Sequence, residues 1–124
     1  MKTSYFARAF RLPREKFFIV RISIGAPRGG RCDAFLQSLA PSREMLAAGY
    51  GAKEYHAQLR AVGVEDIRKQ LEAVKKAAGR REVLLCCFES LAPDKVAEGQ
   101  WCHRRLFADW WKEKTGEEIA EYQP

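Results

Sequence analysis

No stretch of this chain approaches the ~20 consecutive apolar residues that a membrane-spanning helix needs. The first residues, Met1-Lys2-Thr3-Ser4-Tyr5-Phe6-Ala7-Arg8, lack the apolar core of a secretory signal. Cysteine is sparse, four in 124 residues, and no Cys-x-x-Cys pair occurs. That argues against a zinc ribbon or a thioredoxin-type motif, and a domain of this size folds without disulfides. The glycine-rich stretch Gly25-Ala26-Pro27-Arg28-Gly29-Gly30 lacks the Gly-Lys-Ser/Thr ending of a phosphate loop. There are no internal repeats and no low-complexity tracts. These absences leave a soluble, cytoplasmic, single domain over residues 1–124 as the expectation.

What is present is an ordinary globular composition, 47% hydrophobic and 11% aromatic, with a formal net charge of +6. The charge is uneven. Residues 1–32 carry eight basic side chains and one acid, whereas residues 33–124 carry 14 basic and 15 acidic ones. The basic excess belongs to the N-terminal quarter. If it converges in space, it forms an anion-facing patch; otherwise it is an ordinary solvated surface.

Apolar patterning alternates between strands and helices. Residues 3–7 read as a short strand. Residues 17–24 are nearly continuous in aromatic and β-branched character and suit a buried strand. Ser42 is a candidate N-cap for a helix to about Ala48. A second helix is expected over 52–61. A third, over 65–78, carries Glu65 and Asp66 in its first turn and Lys75 and Lys76 in its last, which suits the helix dipole. Residues 82–88 read as a second buried strand. A loop over about 90–100 leads to a helix over 101–114, and residues 118–122 give a short final strand. This order predicts an α/β fold, a single-domain three-layer sandwich with a small, mostly parallel sheet flanked by helices.

In such sheets, ligands bind beyond the carboxyl ends of the strands. Cys87 and Glu89 lie where the 82–88 strand ends, and Cys102, His103 and Arg104 where the next helix starts. A helix start offers backbone N–H groups and a positive dipole end. A cysteine there gains thiolate character, and His103 offers a side chain suited to acid or base chemistry near neutral pH. Cys87, Glu89, Cys102 and His103 are therefore candidate catalytic residues, and Arg104, with Arg28 and Arg31, a candidate anion-binding residue. Adjacent strand positions face opposite ways, so only one of Cys86 and Cys87 joins a given site, and Cys86 reads as a core thiol. Glu89 either caps the loop or pairs with Arg104. His56 and Cys32 read as boundary and loop residues, and Trp110 and Trp111 as core. Cys87, Glu89, Cys102 and His103 have the chemistry of zinc ligands, but the adjacency of Cys102 and His103 works against a shared ion. No motif calls for a cofactor.

Leu84-Leu85-Cys86-Cys87-Phe88-Glu89, followed by Cys102-His103-Arg104 and an apolar helix ending at Gly116, resembles the family known as domain of unknown function 488. Its pattern is an apolar strand ending in Cys-x-Glu, a short loop, then Cys-His-Arg and a helix. Glu118-Ile119-Ala120-Glu121 resembles the family's closing segment. Thr3-Ser4-Tyr5-Phe6-Ala7, Ile22-Ser23-Ile24-Gly25-Ala26-Pro27 and Leu39-Ala40-Pro41 with Met45-Leu46 resemble a subgroup common in phage-like genomes. The glycine-rich loop 25–31 departs from the bulkier residues usual there. The resemblance implies a small α/β fold and a site at Cys87, Glu89, Cys102, His103 and Arg104, without implying a reaction. Three functions follow as expectations. One is a module binding an anion, a nucleotide or a nucleic acid. Another is a cysteine-dependent hydrolase or transferase acting on an anionic substrate. The last is a structural or interaction role without chemistry.

Overall fold

A computed structural model describes residues 1–48, 51–88 and 102–123. The two apolar segments read as buried strands form the middle of the sheet. Phe17–Arg21 is strand β2 and Glu82–Cys87 is β4. They pair in parallel, with Phe18 opposite Val83 and Val20 opposite Leu85. β1 (Lys2–Tyr5) pairs with the other side of β4, placing Tyr5 opposite Cys87. Two-residue edge strands complete the sheet, β3 (Ala34–Phe35) beside β2 and β5 (Ala120–Glu121) beside β1. The order is β3-β2-β4-β1-β5, and every pairing is parallel. The fold is thus an α/β sandwich with a five-stranded parallel sheet.

Parallel strands need crossovers that cover the sheet, and the two faces are covered unequally. Alternation along β2 and β4 sends Phe18, Val20, Val83 and Leu85 to one face. There they pack with Tyr55 and Leu59 of α3 (Ala52–Val62), Ile67, Leu71 and Val74 of α4 (Val64–Ala78), and Phe107 and Trp111 of α5 (His103–Thr115). Ile19, Leu84 and Cys86 face the other way, against Phe6 and Ala9 of the one-turn helix α1 (Phe6–Ala9). Trp110 and Trp111 are buried in the larger core. A short helix α2 (Arg43–Ala48) starts at Ser42, whose Oγ accepts a hydrogen bond from the Met45 amide at 3.2 Å. Gly116 ends α5 in the left-handed conformation, φ +79°, which a side chain disfavours.

The expected boundaries shift where local packing overrides pattern. The first strand stops at Tyr5 because Phe6 and Ala9 turn inward as a helical turn onto Cys86 and Leu84. The 17–24 strand stops at Arg21, although the Ile22 amide still donates to the Cys86 carbonyl at 3.0 Å. β3 and a 3-10 turn over Gln37–Leu39 lie in a stretch whose pattern announced neither. The expected loop over 90–100, with Glu89 and Trp101 beside it, lies outside the described residues. Among the described residues, no helix is long and apolar enough to cross a membrane.

Candidate functional site

The carboxyl end of β4 meets the amino end of α5, and one guanidinium organises the junction. Cys87 is the last residue of β4 and shares its face with Leu85, so its sulfur lies under α5. Arg104, in the first turn of α5, donates from Nη1 to Cys87 Sγ at 3.0 Å. Its Nε and Nη2 donate to the two carboxylate oxygens of Glu121 in β5, at 3.0 and 2.7 Å. Both Arg104 and Cys87 are 0% exposed. An unpaired charge at that depth costs several kcal/mol; the bidentate carboxylate removes most of that penalty. Burial works against the Arg104 charge, but Glu121 and the nearby Cys87 and Cys102 sulfurs outweigh it, so the guanidinium stays ionised.

The network extends to the neighbouring strands. Thr3 Oγ1 donates to Glu121 Oε1 at 2.6 Å and accepts from Arg105 Nη1 at 2.7 Å. Arg105 Nη1 also reaches the Ile119 carbonyl at 2.9 Å. Tyr5, opposite Cys87, has its ring 5.8 Å from the Arg104 guanidinium carbon and 5.1 Å from that of Arg8.

His103 is buried beside this cluster. Its Nε2 donates to the Ile22 carbonyl at 2.5 Å, and its ring packs edge-on against Tyr55, centroids 5.7 Å apart. A carbonyl only accepts, so Nε2 carries the hydrogen, and in the neutral ring Nδ1 carries the lone pair. His103 also lines a pocket of about 120 Å³, together with Ser23, Gly25, Pro41, Leu46 and Phe88. The pocket lies beyond the carboxyl ends of β2 and β4, where open α/β sheets bind ligands. Cys102 is the N-cap of α5, in an extended conformation and buried.

Sequence reasoning therefore nominated residues that the fold distributes over two places. Cys87, Cys102, His103 and Arg104 gather at the end of β4. Glu89 lies outside the described residues, and Glu121 is a carboxylate partner of Arg104. Arg104, read as an anion-binding residue, directs its Nε and Nη2 donors to the Glu121 carboxylate. Arg28 and Arg31 are exposed on the loop after β2, where Arg31 lines a different cleft with Arg21 and Phe35. Glu121 and Thr3 were missed as site residues. The available signal was the acid in the last short strand, since a buried arginine needs a carboxylate. Cys86 is fully buried on the opposite face, and burial, reinforced by Cys32, pushes its thiol far above the ordinary value. Among the described residues, no group of three or more His, Cys, Asp or Glu could hold a metal ion. Comparison with family models, with curated proteins and with solved structures finds no match to this chain.

Proposed function

We propose that the end of β4 is a thiolate centre and that the protein is a cysteine-dependent hydrolase or transferase acting on a small anionic substrate. The observation that carries this reading is the 3.0 Å hydrogen bond from the buried Arg104 guanidinium to Cys87 Sγ. A permanent cation donating to sulfur favours thiolate over thiol, and Glu121 keeps that cation in place. The amino end of the thirteen-residue helix α5 supports an anionic substrate beside the thiol. A pocket of about 120 Å³ suits a compact group, since cofactor-sized ligands occupy roughly 300–1,000 Å³.

In this reading the Cys87 thiolate gives its electron pair to the electrophilic centre of the substrate. The bond from that centre to the leaving group breaks, and the group departs with the bonding pair and a proton from the imidazolium form of His103. Water then displaces the sulfur, returns a proton to His103 and restores the thiolate. Cys102, at the N-cap, supports the same end of the helix. Motif resemblance to domain of unknown function 488 centres on these residues, and membership of that family is part of the proposal. So is a reducing, cytoplasmic setting, in keeping with four unbridged cysteines.

A second reading is favoured by the complete burial of Cys87: the thiol, Arg104, Glu121 and Thr3 lock β1, β4, β5 and α5 together without chemistry. Alkylation by iodoacetamide at pH 6, resolved by peptide mass spectrometry, separates the two. The thiolate reading expects Cys87 to react faster than the more exposed Cys32, and inorganic phosphate to slow it. It also expects Arg104→Lys to reduce the rate by about tenfold, since lysine offers a point charge in place of the planar fork. If Cys32 reacts first and Cys87 only on unfolding, the structural lock is the correct reading.

A further inference from the structure

Beyond Gly25, the arginine-rich part of the loop after β2 lines none of the pocket at His103, yet it is firmly built. Asp33 Oδ2 accepts from the Ile19 amide at 2.8 Å, and Asp33 Oδ1 accepts from Arg14 Nη2 at 2.7 Å. Arg14 Nη1 donates to the Arg31 carbonyl at 2.6 Å. A side chain at Gly30 would place its Cβ 2.1 Å from the Phe10 ring, so only glycine lets the loop approach that closely. The loop frames a cleft of about 420 Å³ beside the edge strand β3, lined by Arg21, Pro27, Gly30, Arg31, Asp33 and Phe35. The carboxylate of Asp33 is answered by Arg14, which leaves Arg21 and Arg31 to set the sign of the cleft. Cys32 adds no charge, because burial raises its thiol above the ordinary value.

One wall is aromatic. Phe35 is 39% exposed, and the Arg21 guanidinium carbon lies 3.8 Å from its ring centroid. At that distance the guanidinium lies over the ring, and the pair offers a stacking platform. A platform of this kind takes the face of a nucleobase, while an exposed arginine beside a glycine loop takes a phosphate. The cleft volume falls within the range of cofactor-sized ligands and is more than three times that of the pocket at His103.

We propose that this cleft binds a nucleoside phosphate, with the base on the Phe35–Arg21 platform and the phosphate at Arg31. The site is separate from the thiol centre and does not depend on it. The loop after β2 forms the wall between them, with Ser23 to Gly25 lining the small pocket and Ala26 to Asp33 contributing to the large one.

The test is calorimetric titration with adenosine 5′-monophosphate, adenosine and inorganic phosphate, with thermal melting to show that each variant is folded. The monophosphate is expected to bind more tightly than either half alone. Arg31→Ala and Arg21→Ala are each expected to weaken it by about tenfold, the weight of one charge-assisted contact. Phe35→Leu weakens the monophosphate and adenosine but not phosphate. Arg60→Ala, an exposed change on α3, has no effect. A short single-stranded oligonucleotide that binds more tightly than the monophosphate identifies the nucleotide as part of a strand; one that binds less tightly identifies it as free. Absence of monophosphate binding at millimolar concentration overturns the proposal. So does binding that survives both arginine substitutions, or phosphate binding as tightly as the monophosphate while Phe35→Leu is silent.

Discussion

Arg104 and Arg21 both stand near the carboxyl ends of the central strands, and their surroundings divide their work. Arg104 is sealed from water and faces a carboxylate and a sulfur of its own chain. Arg21 lies against a half-exposed ring at the sheet edge, in a cleft open to solvent. The first ties β4, β5 and α5 together and donates to a neighbouring sulfur. The second lines an open cleft beside an aromatic ring. The difference teaches that a basic residue at a strand end is a ligand-binding residue only when the fold leaves its donors outward. At Arg104, Nε and Nη2 are directed inward, to the Glu121 carboxylate.

Removing the carboxylate is the strongest way to break this contrast. Glu121→Ala removes the bidentate carboxylate from the buried Arg104 and is expected to cost about 3–5 kcal/mol in urea unfolding. Adding Arg104→Met to Glu121→Ala should recover much of that loss, because the buried charge that lost its carboxylate is gone. At the open cleft the stakes are smaller. Arg14→Ala removes an exposed ion pair to Asp33 and the bond to the Arg31 carbonyl. Its stability cost is expected to stay below about 1 kcal/mol, while the released Asp33 charge weakens monophosphate binding by roughly threefold. A larger stability loss there would mean that the loop is as integral as the buried cluster.

The smallest effect concerns a fully exposed group that marks the outer limit of the comparison. Glu54, near the start of α3, accepts from the Gly51 amide at 2.9 Å. Backbone hydrogen bonds, its own amide's and that of Gly51, hold its carboxyl below the ordinary value of 4.5. A depressed folded value stabilises above the unfolded one and is lost as pH falls through the folded one. The stability advantage of the wild type over Glu54→Gln should therefore be full at neutral pH and vanish below pH 4.5. Paired unfolding curves at both pH values check it.

The sheet was legible because its central strands are almost purely apolar. Phe17 to Val20 and Val83 to Cys86 have no alternative to burial, and Lys75, Lys76 and Gly79 mark the end of α4 well. β3 was not legible, because two residues carry no period; tertiary pairing with β2 decides them. Phe6 and Ala7 looked like strand because aromatic character suits a strand, yet the ring is used at the start of a helical turn. Within the site, the gathering of Cys87, Cys102, His103 and Arg104 followed from strand–helix adjacency. The Glu121–Arg104 pair spans 17 residues and an intervening helix, and short-range spacing says nothing about such closure. The separation of Arg31 from Arg104 was equally invisible, since sequence alone does not say which side of the sheet a long loop visits.

The sheet order has a consequence for how the protein is made. β1 and β2 emerge from the ribosome before β4 but are not neighbours; the slot between them belongs to β4. Until residue 87 has been synthesised, neither pairing with β4 can form, and the edges of β1 and β2 that face it stay open. Long-range parallel pairing of this kind is slow, and its exposed edges are prone to aggregation. Any fragment that ends before β4 is therefore expected to be a client for chaperones rather than a smaller folded domain.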